Sequence, residues 1–232
     1  MSAKLTLGVT LMLVLAACSS SKASESVSTS TTQVATTATT QVATTTTTLG
    51  TDVQALDPVG RLLPGGQRLS VGDYTTTVMT PTVTFSTSEF WDFVGEFPSL
   101  LLLGQPARQQ GLNFVFFSVY SGETVVEAIQ NEAIFDASQV VPATIGGIDG
   151  VSFIVDVVVP GGGSAETTVF PNNQTYSQVD LDPPRFTDGE QVRFTVVEVG
   201  DNVVVIMAES GPFGFGDFLE TADELLATVT FG

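Results

Sequence analysis

The sequence predicts an α+β domain: a mainly antiparallel β-sheet with one or two packed helices, one of them close to the C-terminus. Three observations carry this reading. Runs rich in Val, Thr, Phe and Ile recur between Gly- and Pro-containing breaks, as short strands do. In one of them, residues 151–159, Val151, Phe153, Val155, Val157 and Val159 fall on one face and Ser152, Ile154, Asp156 and Val158 on the other. Near the end, Phe218, Leu219, Ala222, Leu225 and Leu226 recur at helical spacing instead.

The N-terminal part is different in kind. Lys4 precedes an uncharged, Leu- and Val-rich stretch over residues 5–16. About twelve apolar residues fall short of the roughly 20 that span hydrocarbon. A charged start, a short apolar run and small residues after it read as a signal peptide over residues 1–17. The run ends Leu15-Ala16-Ala17-Cys18, and Cys18 is the single cysteine of the chain. This tetrapeptide resembles the lipobox of bacterial lipoproteins. The resemblance implies cleavage before Cys18, lipid on its sulfur and usually on its amine, and attachment to the extracytoplasmic face of a membrane. Each buried CH₂ contributes about 0.8 kcal/mol and one acyl chain anchors only marginally, so the two or three chains of such proteins matter. An ordinary signal peptide or a membrane span is the alternative. An exported chain with one cysteine forms no internal disulfide, so its domain must stand on its core.

Residues 18–50 form a tether. Positions 19–48 hold 7 Ser and 12 Thr, and Thr-Thr-Gln-Val-Ala-Thr-Thr occurs at 31–37 and again at 39–45. Too little apolar surface is available here to offset the entropy of ordering, which predicts disorder. Thirty residues reach about 100 Å when stretched and on the order of 30 Å as a flexible coil. Residues 51–71, with Pro58, Pro64 and Gly65-Gly66, read as a lead-in. All 16 phenylalanines follow. Residues 72–232, about 160 in number, suit one domain, and such a chain buries roughly 70% of its unfolded surface.

Within that domain, strands are expected at 74–79, 82–85, 99–103, 112–120, 151–159, 165–170, 191–199 and 203–209. The run at 112–120 is apolar on both faces and belongs in the middle of a sheet. Gly200-Asp201-Asn202 joins two strand runs as a hairpin loop. A first helix is expected over 123–131, with Val126, Ile129 and Ala133 on one face. A second opens at Asp217-Phe218-Leu219-Glu220, read as an N-cap with an acidic residue three positions on. Val229 and Phe231 close the chain as a short strand. The order of a Gly146-Gly147 turn, long strand, hairpin, helix and short strand, over 140–159, 191–209 and 215–231, resembles PsbP-like exported domains. That family includes actinobacterial lipoproteins of unknown role, and the resemblance carries no catalytic motif.

Composition excludes several chemistries. The chain has 7 basic and 25 acidic residues, a formal net charge of −18, and no histidine. Such a surface repels phosphate backbones, so no nucleic-acid partner is expected. Both lysines, Lys4 and Lys22, precede the domain. Ser-His-Asp, Cys-His, Ser-Lys and Schiff-base mechanisms therefore lack a member, as does a zinc site built on His or Cys. Carboxylates, Tyr, Arg and hydroxyls remain. No cofactor is expected.

Two groups of residues are candidate sites. Asp180, Asp182, Asp188 and Glu190 surround Pro183-Pro184 and offer oxygens to calcium, although the spacing departs from an EF-hand loop; solvated loop acids have the same appearance. Trp91, Phe213 and Phe215, with Phe90, Phe93 and Phe97 nearby in sequence, could form an apolar ligand or partner surface, or simply a core. The leading expectation is a lipid-anchored binding or structural domain, without enzymatic activity, that meets a protein, a cell-wall component or a small apolar ligand. The alternative is a carboxylate-based hydrolase of cell-wall glycans, whose two acids would stand roughly 5–10 Å apart.

The tether reading is directly testable. Deleting residues 19–50 should move the thermal unfolding midpoint by no more than about two degrees, because segments that share no contacts act independently. A large drop would show the tether docked on the domain.

Overall fold

Strands that are apolar on both faces force a layered architecture. The computed structural model describes residues 53–56, 66–105, 110–118, 120–167, 184–211 and 213–232, within a packed unit that runs from Thr48 to Gly232. The chain enters through β1 (Gln54–Ala55), β2 (Gln67–Leu69) and β3 (Gly72–Thr75). It continues through β4 (Val83–Thr87), β5 (Trp91–Phe97), β6 (Leu100–Gln105), β7 (Gln110–Phe117) and helix α1 (Gly122–Gln130). β8 (Phe135–Ala137), β9 (Val141–Ile145), β10 (Ile148–Val157), β11 (Ser164–Glu166) and β12 (Arg185–Thr187) follow. The hairpin β13 (Gln191–Val199) and β14 (Asn202–Ser210), helix α2 (Phe215–Leu226) and β15 (Thr230–Phe231) end it.

The large sheet runs β2-β5-β6-β7-β14-β13-β10-β8, and every neighbouring pair is antiparallel. β9 pairs the first half of β10, while β8 pairs its end. A smaller sheet, β1-β3-β4-β15, is antiparallel except for the β1–β3 pair. β11 and β12 form a separate ribbon. The α+β class, dominated by antiparallel sheet and closed by a C-terminal helix, is thus as the sequence predicts.

Each face of the large sheet has its own core. On one, Phe114, Phe116, Val204 and Ile206 meet Phe85 of the small sheet and Phe218, Leu225 and Leu226 of α2. On the other, Val115, Val205 and Met207 meet Val125 and Ile129 of α1 and the rings of Phe135 and Phe186. The β13–β14 hairpin matches its sequence signature closely. Val199 pairs with Asn202, which leaves the two-residue loop Gly200-Asp201 with Gly200 at φ 60°, the positive φ that such turns require.

Within the expected lead-in, Leu56 and Leu69 are core residues. Several expectations need correction. The run at 74–79 leaves the sheet after Thr75 and turns through a cis Thr80–Pro81 peptide. In α1 the inward face is Gly122, Val125 and Ile129; Val126 is half-buried and Ala133 exposed. Ser121 caps this helix by accepting from the Thr124 N–H at 3.2 Å. Asp217 does not cap α2: the N-cap is Gly214 at φ 83°, and Asp217 sits in the first turn, where a carboxylate still complements the helix dipole.

One buried carboxyl group organises the excursion between β3 and β4. Trp91 and Phe93 face the α2-side core, but a register shift in the β5–β6 pairing between Phe93 and Gly95 reverses the alternation. Phe97 thereby turns to the other core and Glu96 turns inward, fully buried. Its Oε1 accepts the successive N–H groups of Thr77 (2.7 Å), Val78 and Met79 (3.1 Å). Glu96→Ala would strip three backbone donors of their acceptor at about 1–3 kcal/mol apiece, whereas Glu96→Gln keeps an acceptor and should cost much less. On α2, Leu225→Ala and Leu226→Ala should each cost about 2–5 kcal/mol. Glu224→Ala and Asp217→Ala should stay within about 0.5 kcal/mol. Urea unfolding checks both orderings, and near-equal values across either set would refute the packing described.

Candidate functional site

The aromatic candidates separate. Trp91 is 1% exposed and lies 6.1 Å from the ring of Phe218. It therefore offers no surface: it and Phe93 are the inward face of β5. Phe215, 8% exposed, is the first residue of α2 and also turns into the core. Phe213 is 88% exposed. Phe90 is exposed too, with the Arg68 guanidinium 5.5 Å from its ring centre. Of Trp91, Phe213 and Phe215, only Phe213 is at the surface, with Phe90 the other exposed aromatic of the group.

The acidic candidates also separate. Asp180 and Asp182 lie outside the described residues. Asp188 Oδ1 accepts the Val159 N–H at 2.8 Å, and Glu190 Oε2 accepts the Thr187 N–H at 2.7 Å. Both carboxylates therefore secure the turn between β12 and β13. Among the described residues, no three acidic, His or Cys side chains gather in a way that could hold a metal ion.

Glu190 has a second role that the sequence does not reveal. With Glu209, Gln110, Arg185 and Ser210 it lines a small polar pocket of about 200 Å³. Glu209 stands on β14 opposite Gly111 of β7. A Cβ at Gly111 would come within 2.7 Å of Glu209 Oε1, so glycine makes room for the carboxylate there. Asn113 Nδ2 donates to the same oxygen at 3.0 Å. Burial pushes the Glu209 carboxyl up from its ordinary value, the Asn113 hydrogen bond opposes that, and Glu190 adds to the rise. Arg185 is engaged elsewhere, 2.8 Å from Glu166.

Two larger clefts flank the β10 end of the sheet, one on each face. The first, about 480 Å³, lies between α1 and strands β10 and β13. Val126, Val140, Val151 and Val196 give it an apolar floor, and Glu123, Glu127, Asp149 and Glu198 form its rim. Glu198 Oε1 also accepts the Gly122 N–H at 2.7 Å, at the start of α1, where a carboxylate complements the helix dipole. Gly150 permits the close approach of β10 to β13: a Cβ there would lie 2.3 Å from the Val196 carbonyl oxygen. The second cleft, about 460 Å³, lies between α2 and strands β9 and β10 and holds Arg193 and Asp223. Both volumes fall in the range of small-molecule sites.

No known protein family matches the chain, and no curated protein does. A solved structure from Bacteroides thetaiotaomicron VPI-5482 is similar over 65% of this chain and 45% of its own, at 10% identity and a TM-score of 0.38. The chain thus spans less than half of that protein, and a likeness so distant carries no argument.

The state of Glu209 predicts a pH dependence. A carboxyl whose pKa is raised on folding binds its proton more tightly in the folded state. Its stabilising contribution is full below the ordinary carboxylate range and is lost as pH rises through the raised value. Glu209→Gln should therefore be more stable than the wild type at neutral pH, with the difference shrinking on acidification. Urea midpoints of the two proteins across pH check this; a difference independent of pH would contradict it.

Proposed function

We propose that this chain is an extracytoplasmic lipoprotein, held to a membrane by lipid on Cys18, whose domain binds a ligand without chemically changing it. Leu15-Ala16-Ala17-Cys18 after a short apolar run supports the anchor. Among the described residues no helix is long and apolar enough to cross a membrane. The order of Gly-Gly turn, long strand, hairpin, helix and short strand supports a domain of the PsbP-like kind.

The observation that carries the binding reading is the α1 cleft. Its valine floor takes an apolar body, and its four rim carboxylates take a cationic group. Rim charges of this exposure contribute modestly and are weakened by salt, so the floor supplies most of the affinity and the rim most of the selectivity. Two measurements test the proposal. Cys18→Ala should move the protein from the detergent phase to the aqueous phase of a detergent extraction; a wild type already in the aqueous phase removes the anchor. Cyclohexylammonium should bind the full-length chain, Val126→Asp should weaken that binding about tenfold or more, and Glu123→Gln with Glu127→Gln should weaken it and flatten its salt dependence. Equal binding of cyclohexylmethanol would remove the role of the rim.

A second reading, carboxylate-based hydrolysis of cell-wall glycans, is favoured by one observation: Glu190 and Glu209 share a pocket, and burial raises the Glu209 carboxyl toward the protonated form of a general acid. Release of reducing ends from purified wall glycan that is abolished by Glu209→Gln would establish it. Absence of release from the wild type would dismiss it.

A further inference from the structure

We infer that the cleft between α2 and strands β9 and β10 is a second binding site, for a small organic acid: an apolar body carrying a carboxylate that Arg193 receives. Arg193 stands on β13, opposite Ile154 of β10 and Ala208 of β14. Its side chain is only 14% exposed. Its single ion-pair partner among the described residues, Asp223 of α2, is 59% exposed and reaches one terminal nitrogen. The Arg193 Nε–H is buried and meets no acceptor among the described residues.

A buried guanidinium with an unused N–H is costly, because that donor has given up water without replacement. The guanidinium presents its N–H groups as a planar fork that matches the two oxygens of a carboxylate. Val141 and Ala143 of β9, Ile154 of β10 and Leu226 of α2 give the cleft an apolar wall, and Ser138, Gln139 and Thr144 line the remainder. Of the hydroxyls in the lining, Ser152 and Thr195 bond to one another at 3.0 Å and Thr144 donates to Asp149, and Arg193 is the one cation that lines the cleft.

The net charge of −18 opposes any anion. Magnitudes decide against that objection. At physiological ionic strength, charges farther than about 8 Å are largely screened, and the one acidic residue lining this cleft is Asp223. A doubly charged phosphate would meet that carboxylate with twice the repulsion and gain little from the apolar walls; a monoanionic carboxylate with an apolar body uses both. Asp223 is then a competitor for the same guanidinium, as well as its resting partner.

The site lies on the opposite face of the sheet from the α1 cleft and does not rest on the reading of that cleft. The experiment is a titration of the full-length chain with cyclohexanecarboxylate, with cyclohexylmethanol and cyclohexylammonium as controls, followed through the Arg193 Nε–H proton resonance. The carboxylate should shift that resonance saturably, and neither control should. Arg193→Lys, which keeps the charge and loses the fork, should weaken binding about tenfold. Asp223→Asn should tighten it severalfold by removing the competitor, and Val126→Asp should leave it unchanged. The proposal is overturned if the alcohol binds as tightly as the acid, if the resonance does not move, or if Asp223→Asn fails to tighten binding. Should Arg193→Lys not fold, the resonance and Asp223→Asn decide alone.

Discussion

The structure depends on one ladder, β7–β14–β13, that is buried on both faces. From Val203 to Ala208 every side chain of β14 is buried, so neither face of the sheet can meet water. Burying a side chain of this size contributes about 1.5–3 kcal/mol, and that gain exists only if both faces are covered. The chain meets the requirement asymmetrically. The small sheet and α2 cover one face, and α1 with Phe135 and Phe186 covers the other. Helix α1 packs on β8 and β13, and α2 on β4 and β14. Neither cover extends fully over β9 and the first half of β10, and the two clefts form there. The clefts are thus a consequence of where covering stops, with no need for special loop geometry.

What was legible in the sequence follows from how local each signal is. The β13–β14 hairpin depends on a two-residue turn and two continuous apolar runs, and the inward face of α2 depends on spacing within twelve residues. Both need only neighbours in sequence. Most of the failures need distant partners. Trp91 and Phe93 have the composition of a binding patch and of a core strand alike; only Phe218, far along the chain, decides between them. The register shift in β5 reverses an alternation whose apolar members alone would have put Glu96 outside. Asp217 satisfies a capping pattern, but Gly214 reaches a positive φ that other residues avoid and starts the helix earlier. Arg193 and Glu209 resemble any other charged residue until β10, β7 and α2 are in place around them.

Glu96 and Glu209 show how position gives the same group opposite characters. The first has three backbone N–H groups converging on one oxygen, which makes it a structural clamp for a turn that leaves the sheet. The second has one side-chain amide and a neighbouring carboxylate. The first is held by fixed backbone dipoles at Oε1 alone, since its Oε2 is buried and meets no partner among the described residues. Burial raises the Glu209 carboxyl, and Glu190 beside it adds to the rise. It is the pocket shared with Glu190 that supports the second, catalytic proposal at Glu209.

The acidity of the chain bears on the proposed anchor. A domain of this charge is repelled by the negative surface of a membrane, and the effect of that surface falls off within a Debye length, about 8 Å at physiological salt. A flexible tether of about thirty residues averages on the order of 30 Å, several Debye lengths. Lipid on Cys18 would then hold the protein at the membrane while the tether lets the domain remain outside the repulsive layer. A tether of a few residues would set the anchor against the charge of its own domain. Length of tether, sign of charge and lipid in place of basic patches would thus be mutually consistent under the proposed anchor.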